Sequence, residues 1–110
     1  MNNYILLNKI EEDEINNYMP TSKKLNDMAC FFQNFSDTTR LKIISALSIS
    51  ELCVNDLAEV LNINQTTISH QLKILKSLNI VECDRQGKNI IYYIKNKKIE
   101  NLFDATVACV

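Results

Sequence analysis

From Asn64 to Leu78 the apolar residues follow a helical period, and after Asn79 the period drops to alternation. That switch restricts the fold more than any other feature of the chain. Ile68, Leu72 and Leu75 recur at i, i+4 and i+7, which places them on one face of a helix, and Asn64 is suited to cap it. The polar side carries Gln65, Thr66, Ser69, His70, Lys73 and Lys76, with Thr67 and Gln71 beside them. A helix with a purely structural role more often pairs Glu with Lys on its outer face, yet no acidic residue occurs from Asn62 to Asn79. Gln, Thr and Ser can read base edges, and Lys neutralises phosphate. The segment reads as a DNA-recognition helix.

Beyond it, Ile80–Arg85, a turn at Gln86-Gly87-Lys88 and Asn89–Ile94 read as a β-hairpin. The only glycine of the chain lies in that turn, where a positive φ is needed. A hairpin directly behind a recognition helix is a wing. Arg85 and Lys88, at its base and tip, are candidates for phosphate or minor-groove contact; the plain alternative is a pair of solvated hairpin charges.

The segment before the recognition helix is helical too. One Gly and one Pro in 110 residues, with 46% hydrophobic residues, point to a small, mainly α domain. Ile5–Tyr18 reads as a helical arm closed by Asn16-Asn17 and Pro20, and Ser22–Asn34 as a helix with Leu25, Met28, Ala29 and Phe32 on its apolar face. Phe31 and Phe35 widen that face, so either a second subunit or a larger intramolecular core must cover it. Ser36–Thr39 offers N-caps for a helix carrying Leu41, Ile43, Ile44 and Leu47. In Glu51–Leu61, Asn55 is the expected N-cap, Asp56 sits in the first turn and Leu57, Val60 and Leu61 face inward. Asn62-Ile63-Asn64 then turns the chain into the recognition helix, giving helix–turn–helix geometry. A last helix from about Lys98 is expected to bury Ile99, Leu102, Phe103 and Val107. The expected organisation is an arm over residues 1–20 and a winged helix–turn–helix domain over 21–110.

Charge is distributed unevenly. The net charge is −1, but Glu11, Glu12, Asp13 and Glu14 crowd the arm, opposed there by Lys9 alone. Residues 64–98 carry Lys73, Lys76, Arg85, Lys88, Lys95, Lys97 and Lys98 against Glu82 and Asp84. The basic part coincides with the proposed DNA-binding part, which predicts salt-sensitive affinity. Tyr4-Ile-Leu-Leu7 is too short for a signal-peptide core or a membrane span, and an acidic run follows it, so a cytoplasmic protein is expected. There Cys30, Cys53, Cys83 and Cys109 are expected to be thiols, and no two have Cys-x-x-Cys spacing.

Three segments carry a family resemblance. Phe35-Ser-Asp-Thr-Thr-Arg-Leu-Lys-Ile-Ile44 resembles the SDPTRLRIL helix of the ArsR/SmtB repressors, with Thr38 in place of the usual Pro. Glu51-Leu-Cys-Val-Asn-Asp-Leu-Ala58 resembles their ELCVCDLA signature, and Gln65-Thr-Thr-Ile-Ser-His-Gln-Leu72 their QSAVSHQL recognition helix. The wing ending in Tyr92-Tyr93 also matches, so the resemblance spans residues 22 to 108. It implies a homodimer, joined by its first and last helices, on an imperfect palindrome of double-stranded DNA. It also implies release by a metal, a metalloid or a thiol-redox signal.

The metal positions depart from the pattern. The family's Cys-Val-Cys pair is here Cys53 and Asn55, and residues 1–29 contain no Cys. Neutral Asn cannot replace a thiolate for a soft ion. The family's second site would begin at Asn96 and Lys98, where a cation repels a metal. Both standard sites therefore look incomplete for a thiophilic metal or metalloid, and the cofactor stays unknown. Cys53, just before a helix N-terminus, is a candidate thiol sensor, or else a small buried hydrophobe. Cys30 and Cys109 are candidates for a redox pair or a nonstandard thiolate site, or else a buried helix residue and a frayed end. Cys83 has no evident partner in the sequence. His70 is read as a DNA contact over a zinc ligand, because it sits in the recognition helix. With one His, no Gly-rich loop and no acid pair, an enzyme is not expected. The alternative from another class is a winged-helix protein-interaction module without DNA.

Overall fold

Short polar side chains start five of the six helices found among the described residues. In a computed structural model describing residues 6–110, α1 (Lys9–Tyr18), α2 (Ser22–Gln33), α3 (Thr38–Ile49), α5 (Gln65–Ser77) and α6 (Lys97–Cys109) follow Asn8, Thr21, Asp37, Asn64 and Asn96. Each of these side chains accepts a first-turn backbone N–H, which satisfies a donor the helix cannot. Tyr4 and Ile5, the latter the start of the arm helix as read from the sequence, lie outside the described residues.

The exception is α4 (Val54–Leu61), whose N-cap is Cys53 and has no side-chain cap bond. Asn55, expected there, is instead inside the first turn. The reason is tertiary: Leu52 forms a bridge with Tyr92, donating its N–H at 3.2 Å and accepting that of Tyr92 at 2.9 Å. The bridge holds the backbone extended as far as Cys53 (ψ 172°), and the helix begins directly after it.

The hairpin pairs β1 (Val81–Gln86) with β2 (Asn89–Ile94) antiparallel, in a register from Val81 opposite Ile94 to Gln86 opposite Asn89. Gly87 and Lys88 are the two-residue loop, with Gly87 at φ +64°. Arg85 lies opposite Ile90, one step from the closing pair. It therefore belongs to the wing tip and not its base, because the turn needs two residues and not three.

The chain divides into two compact units, one ending at Asn34 and one spanning Phe35–Val110. In the second, Ile43, Ile44 and Leu47 of α3, Leu57 of α4, Ile68, Leu72 and Leu75 of α5, and Ile80 and Val81 at the start of the hairpin form the core. Asparagine makes both bends around the recognition helix. Asn62 (φ 54°) lets Ile63 N–H reach Ala58 O, and Asn79 (φ 60°) lets Ile80 N–H reach Leu75 O. Asn tolerates this left-handed region better than most residues.

On α6, Phe103 stacks edge-on against Phe35 with ring centroids 5.1 Å apart, and Ile99 is half-buried. Leu102 and Val107, expected to be buried, remain 39% and 70% exposed. In the first unit the expected apolar face of α2 is likewise uncovered, with Leu25, Met28 and Phe32 at 40%, 41% and 54% exposure. Among the described residues these side chains stay partly exposed. Among the described residues, no helix is long and apolar enough to cross a membrane.

Candidate nucleic-acid interface

The first turn of α5 faces solvent with its donors in place. The Asn64 side chain accepts from Thr67 N at 2.8 Å, and Gln65 and Thr66 are exposed ahead of that bond. Ser69, His70 and Lys73 continue the exposed surface along the helix, while Ile68, Leu72 and Leu75 on the other side are fully buried. Burial of that stripe decides which residues point outward. Lys73 forms no ion pair among the described residues, which leaves its ammonium available to a phosphate.

Thr67 and Gln71 differ from their neighbours in being half-buried. The Gln71 carboxamide turns toward α3. Its Oε1 accepts from Arg40 Nε at 2.8 Å, and its Nε2 donates to Asp37 Oδ2 at 3.4 Å. Gln71, read from the sequence as a DNA contact, is thus engaged inside the domain. Neither Arg40 nor Asp37 was read as functional. The available signal was the i, i+3 spacing of Asp37 and Arg40 at the start of a helix whose other side is core.

Lys76 is also engaged. Its ammonium donates to Cys83 Sγ at 3.3 Å and lies 3.5 Å from the Glu82 carboxylate, tying the end of α5 to β1. Cys83 therefore has the partner that the sequence did not show. At the wing tip, Arg85 Nε donates to Gly87 O at 3.3 Å, whereas Lys88 is exposed. The structure thus brings Gln65, Thr66, Ser69, His70 and Lys73 onto one exposed surface of α5.

The Lys76–Glu82 contact has a pH signature. The Glu82 carboxyl is held below its usual range, first by the Cys83 N–H that it accepts and then by the Lys76 charge. Lys76 is pushed above the usual lysine range, first by its bond to Cys83 and then by Glu82. A depressed carboxyl stabilises the fold above its unfolded pKa and loses that contribution as pH falls through the folded value. A raised lysine contributes below its unfolded pKa and loses it as pH rises through the folded value. The contact is therefore closed across the neutral range, and its effect is small because both groups are solvated. Acid titration followed by NMR should loosen β1 amides in the wild type and not in Glu82→Gln. An identical acid response in both would show that another group is responsible.

The thiols are dispersed. Cys53 is half-buried beside Val54 and Asn55 in a cleft of about 210 Å³ that Lys88, Asn89 and Ile90 also line. Cys30 and Cys109 are exposed on their helices, so the reading of Cys30 as a buried helix residue does not hold within one chain. Among the described residues, no three His, Cys, Asp or Glu side chains converge as a metal set.

Comparison with known proteins places this arrangement. The family model for bacterial regulatory proteins of the arsR family matches residues 37–82, from the α3 cap into the wing. A cadmium resistance transcriptional regulatory protein, CadC, from Listeria innocua is 41% identical over 113 residues, covering 97% of this chain and 93% of that protein. A transcriptional repressor SmtB homolog from Synechocystis is 41% identical over 76 residues, 69% of this chain and 58% of that protein. Among solved structures, a homodimeric winged helix–turn–helix DNA-binding domain from Mycobacterium bovis superposes with a TM-score of 0.72 at 27% identity, covering 84% of this chain and 88% of that one.

Proposed function

The chain belongs to the arsR family of bacterial regulatory proteins, DNA-binding transcriptional regulators with a winged helix–turn–helix fold, and from that premise we propose a specific mode of action. The protein is a homodimeric, cytoplasmic repressor that places two copies of α5 in successive major grooves of an imperfect palindrome. The observation that carries this reading is the acid-free exposed surface of α5, with Gln65, Thr66, Ser69 and His70 ahead of Lys73. The first four approach base edges; Lys73 and the wing-tip Lys88 hold the backbone. Lys76 shares its ammonium with Cys83 and Glu82, and Arg85 gives its Nε–H to Gly87, so their contributions are smaller than that of Lys73.

Fluorescence anisotropy on the DNA upstream of the protein's own gene tests this. Gln65→Ala should weaken specific binding by about 1–3 kcal/mol and relax base preference. Lys88→Ala should weaken all duplexes alike and flatten the salt slope. Equal specific and nonspecific affinities in wild type and Gln65→Ala would sink the assignment.

The releasing signal is read differently here from a paired-thiolate metal site. Asn55 supplies an amide where that site needs a second thiolate, so Cys53 and Asn55 do not fit a soft ion between them. The reading favoured is a thiol signal through Cys53, Cys30 or Cys109. Adding Cd²⁺, Zn²⁺ or As(III) to reduced protein should leave the DNA complex intact, while oxidant should release it. Release by one of these ions, abolished by Cys53→Ser, would replace this reading with a metal site.

A further inference from the structure

An apolar stripe fixes how deeply a helix sits but not, to a fraction of an ångström, how it is turned about its own axis. Dispersion and hydrophobic contacts are weakly directional, whereas hydrogen bonds depend steeply on angle. Base readout by Gln65, Thr66, Ser69 and His70 needs that rotation settled, because each side chain must meet a donor or acceptor edge.

Three side chains supply directional contacts between α3 and α5. Gln71 accepts from Arg40 Nε at 2.8 Å through Oε1 and donates to Asp37 Oδ2 at 3.4 Å through Nε2. Arg40 Nε lies 3.8 Å from the same Asp37 oxygen, which closes the ring. The second Asp37 oxygen is fixed separately, accepting Thr39 N at 2.8 Å as the α3 cap. The ring is thus anchored to the start of one helix and gripped by the middle of the other. The Arg40 side chain is only 18% exposed, so water competes weakly for the bond. Both ends of the carboxamide are in use, which determines its orientation as well as its position.

We infer that the Asp37–Arg40–Gln71 ring sets the rotation of α5, and that Arg40 and Gln71 are positioning residues for sequence discrimination, not base contacts. This rests on the DNA-reading role of α5 proposed above. Sequence preference then depends on Arg40, a residue of α3, acting through Gln71.

The test is the ratio of nonspecific to specific Kd at one salt concentration. The specific probe is the duplex that wild-type protein selects from a random-sequence pool, and the nonspecific one is its scrambled counterpart. Gln71→Leu and Arg40→Met should each lower the ratio by about tenfold or more while leaving nonspecific affinity and salt slope as they were. Gln71→Glu should lower it as well, because the new carboxylate opposes Asp37. Adding Asp37→Asn should restore it, since an amide there donates to that carboxylate and still caps Thr39 N–H. A generally loosened fold would not recover on a second substitution of this kind. An unchanged ratio in Gln71→Leu overturns the inference, as does a double variant no better than Gln71→Glu. Loss in Gln71→Leu with a wild-type ratio in Arg40→Met would make Gln71 a base contact and also overturn it. Failure of the parent reading is recognisable separately, because wild-type protein would then select no sequence at all.

Discussion

Leu72→Ala is expected to lower the unfolding free energy by about 2–5 kcal/mol, a large share of the roughly 5–15 kcal/mol typical of a whole domain. Leu72 has no exposed surface and lies between Ile68 and Leu75, which have none either. Truncation removes three carbons whose place the surroundings cannot readily take. α5 is held to α3 by the Gln71 ring, and the bends at Asn62 and Asn79 fix both its ends. A helix tied at so many points relaxes little into a cavity, which argues for the upper half of the range. In urea the midpoint should fall with an unchanged slope, as expected for lost stability without a change in the surface exposed. Val60→Ala is the comparison: Val60, expected from the helical period to face inward, is instead 66% exposed, and its change should stay within about 0.5 kcal/mol. A Leu72→Ala effect below about 1 kcal/mol would mean that this stripe is not the core.

The parts of the fold legible in the sequence are those set by local rules. The α5 stripe, the Asn64 cap and the hairpin with Gly87 at its turn each depend on residues a few positions apart. The structure departs from local rules where a distant partner intervenes. The true start of α4 is decided by Tyr92, forty residues beyond Leu52, so Asn55 was the better cap only by local criteria. Gln71 is instructive in a different way. At three positions past Ile68 and one before Leu72 it stands on the shoulder of the buried stripe, so its inward turn was partly legible from spacing. Its partners on α3 were not, since they lie 31 and 34 residues away. The Lys76–Cys83 contact spans seven residues but crosses the bend at Asn79, which no periodicity describes. The expected burial of Leu102 failed for another reason: the apolar pattern of a helix states that a face will be covered without stating which molecule covers it.

That last point yields the second large effect. Phe32 is 54% exposed on α2 and Leu102 39% exposed on α6. If these side chains faced water in the working protein, replacing either with Glu would change stability by no more than about 0.5 kcal/mol and leave DNA binding alone. If a second subunit covers them, the same substitution places an unpaired charge in an apolar contact, where its desolvation is not repaid. The expected result is the latter. Phe32→Glu and Leu102→Glu should each shift sedimentation equilibrium from dimer toward monomer. Affinity for the full palindrome should then fall by roughly 10²–10⁴, because the second half-site no longer benefits from the effective concentration that linkage provides. Affinity for an isolated half-site should change little, since the reading surface of α5 is untouched. This separates a lost dimer from a damaged recognition helix, which would weaken half-site and palindrome together. A dimer that survives both substitutions would assign the exposed apolar faces of α2 and α6 to some other partner.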